Sequence, residues 1–196
     1  MKRIVIASNN EKKIKELKTI LNSLGYDPIT RKAAGVPDDF EVLEDADTFE
    51  GNSYKKALEI MKLTGEITLA DDSGLCVDAL GGRPGVFSAR FSGENASDSE
   101  NNEKLFTMLE GEDDRRASFI CVITLIFPNG QTITASGECK GKISTKKALE
   151  GGFGYDPLFI PDGYEKTFAE LGSEVKNEIS HRALALKEMV KKLKEI

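Results

Sequence analysis

The chain has 196 residues, 39% hydrophobic and 31% charged, with a formal net charge of −6 at pH 7. That length suits one α/β domain burying roughly 70% of its unfolded surface, and the composition excludes a disordered tail or linker. The acidity disfavours nucleic acid and anionic membranes as partners, since both reward a basic face with counterion release, and a phosphate-bearing ligand would need a local cradle and a metal.

After Met1, Lys2 and Arg3, only Ile4 to Ala7 is apolar, too short for a signal-peptide core or a membrane span. Cys76, Cys121 and Cys139 share no C-x-x-C spacing, so a reducing, cytoplasmic setting is expected. Lys2 to Ala7 reads as a buried strand, followed by a helix from about Glu11 with Ile14, Leu17, Leu21 and Leu24 at helical spacing and Gly25 at its end. An acidic stretch over 35–47 precedes a second helix, opened by a capping box of Asp47 and Glu50 and closed by Gly65. Ile67 to Ala70 reads as a short strand ending near Asp71 and Asp72, with a second apolar run from Leu75 to Leu80. Gly81 to Gly85 is a loop, and Asp98 to Leu109 a helix with Leu105, Phe106, Met108 and Leu109 inward. Ala117 to Phe127 and Gln131 to Cys139 form a hairpin through Asn129-Gly130. Gly151 to Pro157 is a glycine-rich loop, and Ser180 begins a last helix through Leu184, Met189, Val190 and Leu193.

Four segments carry candidate chemistry. Ser8 to Lys13 joins a strand to a helix N-terminus, where unpaired backbone N–H groups attract anions; lysines on a solvated face account for Lys12 and Lys13 equally well. Asp71-Asp72-Ser73-Gly74 can hold a hard cation and polarise water, Mg²⁺ rather than Ca²⁺ because one or two carboxylates suffice for it. Neighbouring aspartates on an extended backbone point opposite ways, so one of them faces the site; a simple turn capped by aspartates is the other reading. Glu44 could add a second oxygen. Gly151 to Pro157 offers close backbone approach and an aromatic face from Phe153 or Tyr155, or else a loop with its aromatics in the core. After Lys176, His181 and Arg182 stand just inside a helix start, against the dipole, as ligand-facing groups would; a surface histidine with a solvated arginine is the reading that this motif alone favours.

Taken in order, SNNEKK (8–13), TFEGNSYKKA (48–57), ADDSGLCVDALGGRPGVFSARF (70–91), GGFGYDPLF (151–159) and ISHR (179–182) resemble the inosine triphosphatase, or Ham1, family of noncanonical purine triphosphate pyrophosphatases. The resemblance spans nearly the whole chain, departing at residues 8 and 9, where many relatives have threonine with glycine or serine. It implies a long, twisted mixed β-sheet flanked by helices in two lobes, a central substrate cleft, a homodimer and Mg²⁺. On the matching positions it implies that Ser8, Asn9, Asn10, Glu11, Lys12 and Lys13 hold the phosphates, with Asn52 and Lys56 reaching the same place and Ser73 touching substrate. Asp72 is implied as proton acceptor and metal ligand, Glu44 as second ligand, and Phe153, Gly154, Tyr155, Asp156, Lys176, His181 and Arg182 as the frame of base and sugar. The implied reaction splits inosine or xanthosine triphosphate into monophosphate and pyrophosphate. A Maf-like pyrophosphatase of other base preference is the nearest alternative, opposed by the FGYDP and SHR segments; a non-catalytic nucleotide sensor would need no carboxylate at position 72.

Overall fold

Ile4 and Ile6 join one apolar cluster while Val5 and Ala7 join another, as alternate side chains of a strand buried on both faces must. This is β1 (Arg3–Ile6) of the computed structural model, which describes residues 2–146 and 151–195. Helix α1 (Glu11–Ser23) follows, capped by Asn10, whose side chain accepts from the Lys12 and Lys13 backbone N–H groups. The sequence reading omits β2 (Asp27–Thr30), which pairs parallel to β1 at a sheet edge that tolerates Pro28. Helix α2 (Phe49–Thr64) ends at Gly65 in the left-handed region (φ 66°), but its cap is Thr48 rather than Asp47: the Thr48 hydroxyl accepts from the Gly51 N–H at 3.1 Å.

The larger correction is at β3 (Thr68–Val77). Asp71 and Asp72 do not end a strand before a turn; one uninterrupted strand runs straight through both carboxylates and the following Ser73-Gly74. Sheet pairing overrides the turn propensity of Asp-Asp-Ser-Gly, because β3 lies inside the sheet with neighbours on both sides. Next come α3 (Asp98–Met108), β4 (Arg116–Ile126), β5 (Thr132–Ile143), β6 (Phe159–Pro161), α4 (Phe168–Ile179) and α5 (His181–Lys194). The turn at Asn129-Gly130 joins β4 and β5 as expected, although β5 runs four residues past Cys139. Helix α4 and the three-residue β6 are absent from the sequence reading; Gly172 (φ 79°) breaks the helical period of the former. On α3, Met108 is exposed and Asn101 and Asn102 are buried instead; on α5, Leu184 points out while Ala183, Ala185 and Leu186 point in.

The strand order is β2-β1-β3-β4-β5-β6, with β1 parallel to β2 and β3, and β5 antiparallel to β6, so the sheet is mixed. The chain divides into two units. The first comprises residues up to Asp72, Cys121–Gly137 and Arg182 onward. In it Leu17, Ile20 and Leu21 of α1 and Leu186 and Met189 of α5 cover one sheet face, and Ala57 and Ile60 of α2 the other. The second comprises Ser73–Ile120 and Glu138–His181, with one core around Leu75, Leu105, Phe119, Phe159 and Phe168. Among the described residues no helix is long and apolar enough to cross a membrane.

Gly141 shows how closely β5 and β6 approach. A Cβ at that position would run into the Ile160 carbonyl oxygen and lie 2.8 Å from Phe159 Cζ. Gly141→Ala is expected to cost about 1–3 kcal/mol, as overpacking against backbone does, and urea unfolding should show a lowered midpoint.

Candidate active site

Strand alternation sends the two aspartates of β3 to opposite faces. Asp71 turns toward α1 and α5, where its Oδ2 accepts from Arg182 Nε at 3.3 Å and Nη2 at 3.2 Å and lies 3.3 Å from Lys13 Nζ. Arg182, only 1% exposed, also donates from Nη1 to Glu16 of α1. Burial alone would raise the Asp71 carboxyl, but Lys13, Arg182 and Lys56 outweigh it and hold its pKa well below the usual carboxylate range. Lys13 therefore begins α1 with its ammonium already set against a carboxylate. Ser8 accepts from the Asn10 N–H at 3.2 Å, folding the loop back on the helix start, while Asn9, Asn10, Glu11 and Lys12 stay at the surface.

Asp72 turns toward α2. Its Oδ2 accepts from Asn52 Nδ2 at 3.2 Å, and its Oδ1 lies 3.4 Å from Lys56 Nζ, which donates to Glu44 at 2.7 Å. Two carboxylates thus converge on one ammonium. Asn52 also explains why Glu44 is there: its side-chain amide accepts from the Ala46 N–H and donates to the Ala46 carbonyl, stapling the acidic stretch to α2. Lys55 adds an ion pair to Asp45 at 2.6 Å. For Lys56, burial opposes the charge but Asp72 and Glu44 outweigh it, raising the pKa. Asp72 behaves oppositely to its neighbour: burial dominates over Lys56 and Lys13, so its carboxyl is pushed above the ordinary value. Ser73 follows, half-buried.

In the second unit the glycine-rich loop is built around Asp156. Its Oδ2 accepts from the Phe153 N–H at 3.0 Å and from Lys176 Nζ at 2.7 Å, and Lys176 lies 3.9 Å from the centre of the Phe153 ring. Gly152 must lack a side chain, since a Cβ there would stand 2.6 Å from that of Asp156. Tyr155 is buried and donates its hydroxyl to the Ser88 carbonyl at 2.8 Å. His181, also buried, stacks on Phe119 with centroids 4.7 Å apart.

The first unit thus brings together Lys13, Glu44, Asn52, Lys56, Asp71 and Asp72, and the second brings together Phe153, Asp156 and Lys176. Sequence reasoning missed Glu16, whose only signal is its i+3 spacing from Lys13 on α1, and the reach of Arg182 into the same ion cluster. Where His181 and Arg182 were expected to frame a base, His181 packs on an aromatic ring and Arg182 holds two carboxylates.

The opposed shifts separate the two aspartates by stability. A depressed carboxylate contributes stability above its unfolded pKa of about 3.9, so Asp71 acts in full at neutral pH. Replacing it by Asn takes one of the carboxylates from the buried Arg182 and is expected to cost about 3–5 kcal/mol. A raised carboxylate does the reverse, costing stability once ionised, so Asp72→Asn should unfold at a urea midpoint equal to or above that of the unsubstituted protein. Equal losses for the two variants at pH 7 would contradict this division.

A sequence model of the Ham1 family matches residues 4–192. The chain is 50% identical to a dITP/XTP pyrophosphatase of Desulforamulus reducens, over 99% of this chain and 96% of that one. It is 44% identical to that of Bacillus subtilis, over 98% of each. Among solved structures it superposes on the Ham1 protein of Staphylococcus aureus with a TM-score of 0.86 at 43% identity over 99% of both chains. For that of Coxiella burnetii the TM-score is 0.87 at 40% identity, over the whole of both. With matching family, fold and full-length coverage, the chain belongs to the Ham1 family.

Proposed function

We propose that the protein hydrolyses purine triphosphates with a 6-oxo base, the deoxyinosine and xanthosine triphosphates among them, to monophosphate and pyrophosphate, clearing them from the nucleotide pool. The observation that carries this reading is the opposed environment of the two aspartates on β3, one locked in a buried ion cluster and the other held with a raised pKa among Asn52, Lys56 and Glu44. The relatives named dITP/XTP pyrophosphatase support it.

Asp72 accepts a proton from the attacking water; a carboxylate of raised pKa is the better base, and Asn52 fixes its orientation. Lys13 and Lys56 offset the triphosphate charge, with Ser8 to Lys12 and Ser73 as further contacts. Phe153, Gly154, Tyr155 and Asp156, with Lys176, frame the base, and His181 and nearby backbone amides contribute donors toward its 6-oxygen.

Glu44 and Asp72 fit a magnesium ion. Their carboxylates already share one cation, Lys56, and among the described residues no cluster of three or more metal-binding side chains forms. Magnesium suits such a donor set because it keeps waters and substrate phosphates in the rest of its shell. When bound it would polarise phosphate oxygens and neutralise charge on the leaving pyrophosphate. The same proposal includes the homodimer and the cytoplasmic setting that the resemblance and the cysteine usage imply.

Asp72→Asn, folded as argued above, is expected to lose about two to four powers of ten in turnover. Near-normal turnover would remove Asp72 from the chemistry. In a nucleotide panel, adenosine triphosphate should be poorer than xanthosine triphosphate by about 10⁴-fold in kcat/KM, because its 6-amino group faces donors that need an acceptor. Comparable efficiencies would reject the 6-oxo reading.

A further inference from the structure

The glycine-rich loop has an anchor that neither the sequence motifs nor the proposed chemistry accounts for. Gly154, in the left-handed region at φ 57°, has both backbone polar groups taken by α3: its N–H donates to Asp98 Oδ2 and its carbonyl accepts from Asn102 Nδ2, each at 2.8 Å. Asp98 and Asn102 are four residues apart and share a helix face. Asp98 stands in the first turn of α3, whose start is fixed by the reciprocal capping of Ser97 and Glu100. Asn102 is buried, and its Oδ1 has no hydrogen-bond partner among the described residues. A helix position that served packing alone would not keep an amide there with an acceptor unmet; its donor toward Gly154 is what this side chain supplies.

We infer that Asp98 and Asn102 are positioning residues that set base recognition by holding the Gly154 peptides from α3. The inference rests on the reading that Phe153 to Asp156 frame the base. Gly151, Gly152 and Gly154 all have positive φ, a backbone with little intrinsic preference for one shape. Asp156 and Lys176 fix the Phe153 end of the loop and Ser88 fixes the Tyr155 hydroxyl. Gly154 lies between these two anchors. With both its bonds made, the ring of Phe153 is presented at one height and tilt; with either lost, the loop samples several.

The test compares Asn102→Leu, Asp98→Ala and Asp98→Asn in the full chain, each checked for a cooperative thermal transition above the assay temperature. Asp98→Asn keeps an acceptor for the Gly154 N–H. Inhibition constants are measured for xanthosine monophosphate, adenosine monophosphate and inorganic tripolyphosphate, alongside KM and kcat for xanthosine triphosphate. Asn102→Leu and Asp98→Ala should weaken xanthosine monophosphate and raise KM by about tenfold, the scale of one lost anchoring interaction. Inhibition by tripolyphosphate and kcat should stay within about twofold, and Asp98→Asn should match the unsubstituted protein. Parallel weakening of xanthosine monophosphate and tripolyphosphate, no change in either, or failure of Asp98→Asn alongside Asp98→Ala would overturn the inference. If the unsubstituted protein binds xanthosine and adenosine monophosphates alike, the base-frame reading falls and the positioning role with it.

Discussion

The first unit is organised around a guanidinium that cannot be left alone. Arg182 is almost wholly removed from water, and an ion so placed costs several kcal/mol unless carboxylates surround it. Asp71 and Glu16 supply them, and Asp71 passes its remaining influence to Lys13. One cluster of charges therefore ties α1, β3 and α5 together, on the same sheet face that Leu17, Leu21, Leu186 and Met189 cover with apolar contacts. Hydrophobic burial brings these helices to the sheet; the ion cluster fixes where along it they stop, since a one-turn slip would strand a buried charge.

Because β3 is extended, fixing Asp71 on one face obliges Asp72 to face the other. There the balance of forces inverts. Asp71 has enough nearby positive charge to overcome burial, whereas Asp72 does not, although Lys56 is close, because Glu44 shares that ammonium and adds negative charge of its own. Two chemically identical neighbours thus acquire opposite electrostatic environments. The structure holds one as a permanent anion and keeps the other as a carboxylate whose charge the fold disfavours, which is the state a base or a metal ligand exploits.

Much of this was legible in the sequence for physical reasons that apply locally. Period-two burial of Val5 and Ile6 and the Asn-Gly turn after β4 depend on neighbours in the chain, and so does the opposition of Asp71 and Asp72. What was missed depends on residues distant in sequence. Asp-Asp-Ser-Gly reads as a turn until strands on both sides claim its backbone. β2 begins Asp27-Pro28, a poor strand signal rescued by its edge position, and α4 hides its period behind Gly172. The motifs point to candidate site residues but not to their partners: Glu16 meets Arg182 across 166 positions, and Asn102 meets Gly154 across 52. No spacing rule reaches so far.

In the proposed reaction a triphosphate is split so that pyrophosphate leaves whole. Phosphorus NMR of xanthosine triphosphate turnover with Mg²⁺ present tests it most directly. Xanthosine monophosphate and pyrophosphate should form in equal amounts, with orthophosphate appearing only when an inorganic pyrophosphatase is added. Direct release of orthophosphate with xanthosine diphosphate would contradict it.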